Sequence, residues 1–321
     1  MPQPSFFLSI VVPAYNEAHG LPDFHAHLIK SLEAIPHAHF EILYCDDGST
    51  DQTAELVRNW IVKDKRIKLI KLSRNFGKES ALTAGIHMAG GDAIILIDAD
   101  GQHPVELIPE FIARWQAGSR VVIGVRTENF QEGFVKHFGS RLFYAILNRL
   151  TGMKLVPNST DFRLIDQVVQ HDFMRMTERN RITRGLIDWL GYERDYLPFK
   201  AQPRLNDKAG YSFRKLLKLA VDSIISLSIS PLYITAYAGI IVLPVSVFLA
   251  LMIIADSLLG DPLHWRVTGG AYVMVLILFI SGLLLMSQSI IGLYLSHIHA
   301  ETQNRPLYVI DRAQSSGIPD A

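Results

Sequence analysis

Ala93-Ile-Ile-Leu-Ile-Asp-Ala-Asp-Gly-Gln102 is the stretch whose reading decides the fold of this chain. A short, very apolar run that ends on Asp98 fits a strand buried on both faces, the kind found inside parallel sheets. Reading outward, the upstream residues repeat one theme. Strand-like runs at Leu8–Pro13, Phe40–Asp46 and Arg66–Leu72 alternate with helix-like runs at Leu21–Ala34, Asp51–Lys63 and Lys78–Ala89. Downstream come a helix over Pro104–Ala117 and a strand over Arg120–Val125, then a helical stretch Phe130–Leu150, a short strand Asp161–Ile165 and a helix Ile182–Leu190. This alternation predicts an α/β fold: a mostly parallel, Rossmann-like sheet with helices on both faces. Sheets of that kind bind ligands beyond the carboxyl ends of their strands. Three polar clusters fall at such ends: Asn16-Glu17, Asp46–Asp51 and Asp98–Gln102.

Composition restricts the function classes further. The chain has 321 residues, with 31 Lys and Arg against 31 Asp and Glu, a balance that argues against a dedicated nucleic-acid binder. Its one cysteine, Cys45, cannot form an internal disulfide and reads as strand packing. The zero balance hides a partition. Residues 1–218 hold 28 basic and 25 acidic side chains, and residues 219–321 only 3 and 6. Tyr233–Ala255 and Gly269–Leu295, of 23 and 27 residues, contain no charged side chain. At about 1.5 Å per residue each exceeds the roughly 30 Å hydrocarbon core of a bilayer.

Two spans make a hairpin with both ends on one side. The linking segment Asp256–Thr268 has one Arg, whereas Arg214, Lys215, Lys218, Arg305 and Arg312 flank the hairpin, so the positive-inside tendency puts both termini in the cytoplasm. No cleavable signal peptide is expected, because Phe6–Ala14 is short and lacks a basic leader. Before the first span, residues 212–230 read as an amphipathic helix. Phe199–Lys218 carries Lys200, Arg204, Lys208, Arg214, Lys215 and Lys218 against Asp207, which suits an element lying at lipid headgroups. The expected organisation is a cytoplasmic domain over 1–211, the interfacial helix over 212–230, two spans within 231–298 (about 233–255 and 269–295), and a cytoplasmic tail over 299–321. The expected location is the inner (plasma) membrane.

Asp98 and Asp100, two residues apart at a strand end, point the same way and can share a divalent ion, with Gln102 adding a neutral oxygen. Hard oxygen donors favour Mg²⁺ or Mn²⁺, which usually keep positions for water and phosphate. After an apolar strand, and beside the Asp46 cluster, this pattern points to a nucleoside diphosphate.

Ser9-Ile-Val-Val-Pro-Ala-Tyr-Asn-Glu17, Asp46-Asp-Gly-Ser-Thr-Asp51, Arg74-Asn-Phe-Gly-Lys78 and Asp98-Ala-Asp-Gly-Gln102 together resemble a family 2 glycosyltransferase with the GT-A fold. The resemblance runs on through Asp161-Phe-Arg-Leu164, Tyr211, Ile291–Glu301 and Arg305-Pro-Leu-Tyr308, over roughly residues 5–312. It is to the branch that acts on polyprenyl phosphates, the bactoprenol glucosyltransferases and dolichol-phosphate mannosyltransferases. That resemblance implies inverting transfer of a sugar from a nucleotide sugar to a polyprenyl phosphate such as undecaprenyl phosphate. UDP-glucose is the leading donor, and a homotetramer is an expected assembly. By position, Pro13, Tyr15 and Asp46 would line the nucleoside pocket, Glu17 would lie near the ribose and Lys78 near phosphate. Asp98, Asp100 and Gln102 would hold the metal and diphosphate.

The reacting bond joins a sugar to a diphosphate, and the sugar gains oxocarbenium character as it breaks. A phosphate monoester is already ionised, so a strong general base is not required; a cationic cradle is. The resemblance offers Arg126, Lys136, Ser140 and Arg163 for that cradle, with Arg204 and Lys208 in the acceptor loop. Asp161 is the candidate carboxylate near the reacting centre, as orienting group, sugar contact or base, and Asp161, Arg163 and Asp100 form the expected catalytic set. One departure stands out: Gly210 precedes Tyr211 where the family usually has a basic residue, leaving Lys208 to compensate. Two other readings exist. A silent membrane scaffold is opposed by the intact Asp98, Asp100, Gln102 and Arg163. A processive synthase is opposed by the lack of a Gln-x-x-Arg-Trp context at Trp60, Trp115, Trp189 or Trp265.

Overall fold

The computed structural model describes residues 5–127, 159–179, 181–200 and 269–318. The chain divides into two compact units, one of Met1–Ser212 with Arg305–Ala321 and one of Phe213–Asn304.

The first unit is built on a seven-stranded sheet. Its strands are β1 (Phe6–Ala14), β2 (Ala38–Asp46), β3 (Ile67–Lys71), β4 (Ala93–Leu96), β5 (Val121–Arg126), β6 (Ser159–Asp166) and β7 (Arg194–Phe199), in the spatial order β3-β2-β1-β4-β6-β5-β7. Among these seven strands all pairings are parallel except those of β6, which runs antiparallel to both β4 and β5. The predicted mostly parallel sheet is therefore present. The chain leaves β1 toward β2 and β3, then returns to place β4 on the other flank of β1. That reversal opens a crevice at the carboxyl ends of β1 and β4.

Side-chain alternation builds two core layers. Leu8, Ile10 and Val12 of β1 join Leu21, Phe24, Leu28, Val57, Ile108 and Phe111 on one face. Val11 joins Leu43, Cys45, Leu82, Ile86, Phe173 and Ile187 on the other. The first layer is closed by α1 (Leu21–Glu33), α2 (Thr53–Lys63) and α4 (Ile108–Gln116). The second is closed by α3 (Lys78–Met88), α5 (Gln167–Met174) and α6 (Thr183–Trp189). In α1 the buried Leu21, Phe24, Leu28 and Leu32 recur at helical spacing, and proline stands in the first turn, where its missing N–H costs nothing. Burying each such side chain contributes roughly 1.5–3 kcal/mol. Cys45 is fully buried, as its strand position predicts.

Three differences from the sequence reading have simple causes. The helix expected from Pro104 starts at Ile108, after a 3₁₀ turn over Val105–Leu107, because Pro109 suits only the first helical turn. Strand β7 and helix α5 were not anticipated. In β7, Arg194, Asp195 and Pro198 disguise a partly exposed edge strand, and α5 follows β6 directly through the Asp166 side chain, which accepts from Val168 N–H at its start. The predicted helical stretch Phe130–Leu150, the interfacial helix 212–230 and the first span 233–255 lie outside the described residues.

The carboxyl-terminal stretch, expected as a separate tail from residue 299, has two parts. Helix α7 (Gly269–Thr302) runs through the expected second span and beyond it. Arg305–Ala321 belongs to the sheet-bearing unit. There it pairs antiparallel with the outer edge of β3, through Leu69↔Ser316 and Leu72↔Ile310. An uncovered β3 edge would be a template for another chain, and the tail removes it. Counting only residues whose side chains are described, no helix is long and apolar enough to cross a membrane. The hairpin thus rests on the sequence.

Candidate active site

The register explains how distant residues meet. Leu96 of β4 lies opposite Arg163 of the antiparallel β6, so Asp98, two residues after Leu96, comes beside Asp161, two residues before Arg163. The Lys78 ammonium, from the first turn of α3, stands between them, 2.7 Å from Asp98 and 2.6 Å from Asp161. Burial works against this charge, but the two carboxylates outweigh it and raise the lysine pKa above its ordinary value. Burial likewise opposes ionisation of Asp161, and Lys78 overrides it, holding the carboxyl down at about 2. Asp161 is therefore a fixed anion at neutral pH.

Asp98 and Asp161 line a cavity of about 250 Å³ with His103, Arg126, Ser159, Thr160 and Arg184. Arg126, the last residue of β5, donates to the Gln102 side-chain carbonyl at 2.9 Å. The Asp100 carboxylate accepts from Gln102 N–H at 3.0 Å, closing a turn through Gly101 at φ 73°. The donor set Asp98, Asp100 and Gln102 is thus all oxygen. Among the described residues no three His, Cys, Asp or Glu side chains group as a full metal cage. One or two carboxylates with an open remainder are what Mg²⁺ or Mn²⁺ takes when phosphate completes the shell, so these residues fit such an ion.

Next to this rim, the loops after β1 and β2 brace each other. Asn16, at φ 54°, accepts from Thr50 N–H at 2.9 Å and donates its own N–H to Ser49 Oγ at 2.9 Å. Asp47 accepts from Phe76 and Gly77 N–H groups at 2.7 and 2.9 Å, and Asp51 accepts from Thr53 and Ala18. Gly48 stands at φ +70°, and a Cβ there would lie 2.4 Å from the Arg74 carbonyl carbon. The acidic cluster 46–51 read as facing a ligand is largely spent on the turn itself. Asp46 is 1% exposed, receives Ser49 N–H at 3.0 Å, and has Lys71 3.9 Å away. Tyr15, 44% exposed, and the half-buried Glu17 stand at the crevice mouth, while Pro13 is buried in β1.

Arg163 is placed differently from the phosphate contact expected of it. It is fully buried and does not line the cavity. Its guanidinium donates to the Thr160 carbonyl at 3.1 Å and the Arg184 carbonyl at 3.4 Å, and pairs with Asp188 at 3.6 Å. Because β6 points this side chain inward, it holds two cavity walls from behind. Glu79 does related work: its carboxylate accepts from Thr183 N–H and Oγ, fixing the start of α6 and hence Arg184. Arg184, Thr160 and His103 were not anticipated as site residues; only the carriage of α6 and β6 to the rim reveals the first two. Lys136, Ser140, Arg204 and Lys208 lie outside the described residues.

An acidic rim at a sheet reversal, with Arg126 and Arg184 lining the same cavity, is an arrangement able to hold a phosphate-bearing ligand. Residues 9–172 match the glycosyl transferase family 2 model. An uncharacterized glycosyltransferase of Synechocystis is 38% identical over 94% of this chain and 94% of its own length. A prophage-derived bactoprenol glucosyl transferase of Shigella flexneri is 34% identical over 95% of this chain and 98% of its own. The chain belongs to glycosyl transferase family 2 and is a glycosyltransferase. Glucosyl-3-phosphoglycerate synthase from Mycobacterium tuberculosis, solved with Mn²⁺, UDP-glucose and phosphoglyceric acid, shares the fold at a TM-score of 0.50 and 18% identity. That likeness covers 69% of this chain and 78% of the other.

Proposed function

We propose that this protein transfers a hexosyl group, with inversion, from a nucleotide sugar to a polyprenyl phosphate at the cytoplasmic face of a membrane. UDP-glucose is the first candidate donor. The observation that carries this reading is the length of the similarity. The likeness to bactoprenol glucosyl transferases spans 95% of the chain, so it extends past the sheet-bearing unit through residues 213–304. The cavity supports it with carboxylates on one wall and Arg126 and Arg184 on others.

In the reaction, an oxygen of the lipid phosphate bonds to the anomeric carbon as the bond from that carbon to the nucleoside diphosphate breaks, its electron pair leaving with the diphosphate. Asp98, Asp100 and Gln102 would hold a Mg²⁺ or Mn²⁺ that neutralises the leaving diphosphate. Arg126, with Lys136, Ser140, Arg204 and Lys208, holds the lipid phosphate; arginine contributes a bidentate fork where lysine supplies a point charge. Asp161, kept ionised by Lys78, favours positive charge developing on the sugar. Tyr15 and Glu17 receive the nucleoside at the crevice mouth.

The lipid must reach this site, and the uncharged sequences supply the anchor. Helix α7, at 34 residues, is roughly 50 Å long, more than the roughly 30 Å hydrocarbon core. With residues 233–255 it forms the hairpin, the basic helix 212–230 lies at the headgroups, and a homotetramer is the assembly proposed.

The test is a donor panel. Purified full-length protein with undecaprenyl phosphate and Mg²⁺ or Mn²⁺ receives labelled UDP-glucose, UDP-galactose, UDP-GlcNAc or GDP-mannose, and lipid products are separated by thin-layer chromatography. UDP-glucose is expected to label the lipid, and Asp100→Ala to abolish it. Labelling by another sugar corrects the donor; labelling by none overturns the function.

A further inference from the structure

His103 is 3% exposed, and neither ring nitrogen has a hydrogen-bond partner among the described residues. Its ring packs against both Phe162 and Phe199, with centroids 5.3 and 5.7 Å away, and it lines the same cavity as Asp98 and Arg126. Buried polar groups are nearly always paired, and leaving one unpaired costs more than a made hydrogen bond returns. An imidazole without a partner, on the lining of a 250 Å³ cavity, therefore marks a place for a polar ligand atom.

The kind of atom follows from the rest of the cavity. Phosphate oxygens only accept hydrogen bonds, and Arg126 and Arg184 already offer them fixed positive charge. A neutral imidazole has one donor nitrogen and one acceptor nitrogen, and a hydroxyl group, which both donates and accepts, can pair with whichever of the two it meets. The two phenylalanine rings hold the imidazole in one orientation, as a group selecting among hydroxyl arrangements requires. A site built to pair with a hydroxyl discriminates strongly against an analogue that lacks it.

We propose that His103 is a specificity-determining residue that hydrogen-bonds a hydroxyl of the transferred sugar. The inference rests on the proposed transferase reading and assigns the sugar-recognising wall of that same site.

The test compares binding of UDP with that of UDP-glucose, UDP-galactose and UDP-GlcNAc, and of GDP with GDP-mannose. It uses calorimetry on the full-length protein in detergent, with His103→Phe and His103→Asn as variants. In wild type one nucleotide sugar binds more tightly than its parent nucleotide. His103→Phe is expected to leave parent-nucleotide affinity within twofold and to weaken the nucleotide sugar about tenfold, the loss of one good hydrogen bond. His103→Asn, which keeps a donor and an acceptor, is expected to recover part of the loss, and it remains informative if the phenylalanine variant does not fold. Monodeoxy analogues of the preferred donor then identify the hydroxyl: one analogue binds wild type and His103→Phe equally. Equal weakening of nucleotide and nucleotide sugar, or no change in either, overturns the assignment while leaving the transferase reading standing. If no nucleotide sugar binds wild type, both fall.

Discussion

The Lys78 ammonium lies 2.6 Å from the Asp161 carboxylate, across 83 residues of sequence, and holds it beside Asp98. Two carboxylates this close repel unless a cation stands between them. Lys78, expected near phosphate, stands in the structure as the counterion of two carboxylates. Lys78→Met should therefore cost turnover at least about 100-fold, the scale of removing one preorganised electrostatic partner. Lys78→Arg should retain more activity than Lys78→Met. Steady-state transfer rates check this, and a Lys78→Met rate within threefold of wild type would sink it.

Arg163 and Asp188 form a buried pair 3.6 Å apart, both almost free of solvent. Removing one member leaves the other's buried charge poorly compensated, with Arg194 at 3.7 Å the partner remaining to Asp188, at a cost of up to about 3–5 kcal/mol, while replacing both with apolar residues costs much less. Arg163→Met should lower the Tm sharply, and Arg163→Met with Asp188→Leu should recover most of it. Transfer activity should stay depressed in the double variant, because the Thr160 and Arg184 carbonyls lose the donor that fixes their walls. If the double variant is less stable than either single variant, the pair is not organised as described.

His87 bonds the Tyr308 hydroxyl at 2.9 Å, tying the carboxyl-terminal stretch to α3. Burial, with Arg181 adding to it, lowers the His87 pKa to about 4, and burial does the same to His25. In the folded protein both rings are thus neutral where an unfolded chain, with its ordinary value near 6.5, takes up protons. Stability is then fully present above pH 6.5, falls as pH drops toward 4, and levels off below. A Tm series from pH 7.5 to 4.5 should show this decline, and His87→Phe should flatten part of it. An unchanged slope in that variant would remove His87 from the account.

The pairing of the tail with β3 uses Asp311 N–H to Lys71 and Ser73 N–H to Val309, both at 2.8 Å. Ending the chain at Asn304 should expose the β3 edge and uncover the side chains packed beneath Tyr308 and Ile310. We expect soluble aggregates on size exclusion, with Tyr308→Phe remaining well dispersed because it removes only one hydrogen bond. A truncated protein that runs as wild type would show that the edge needs no cover.

Much of this was legible in sequence because it depends on local pattern. The alternation around Ala93–Leu96 implied the parallel sheet, since a strand buried on both faces cannot carry polar residues in its middle. Asp98, Asp100 and Gln102 were readable as an oxygen donor set because their spacing at a strand end is itself a geometry. Strand β7 was not readable, because a half-exposed edge strand imposes no clean period on its side chains.

The sequence by itself determined the α/β sheet, the glycosyltransferase motifs and the division between a charged front and a sparsely charged rear. Only the tertiary structure decided which charges face the cavity. Arg163 turned inward to Asp188, Asp47 went to the loop backbone, and Arg184 and His103 came to the cavity. The reason is that spacing along a strand or helix specifies a side chain's direction relative to its own element. What lies in that direction is set by elements packed from elsewhere in the chain.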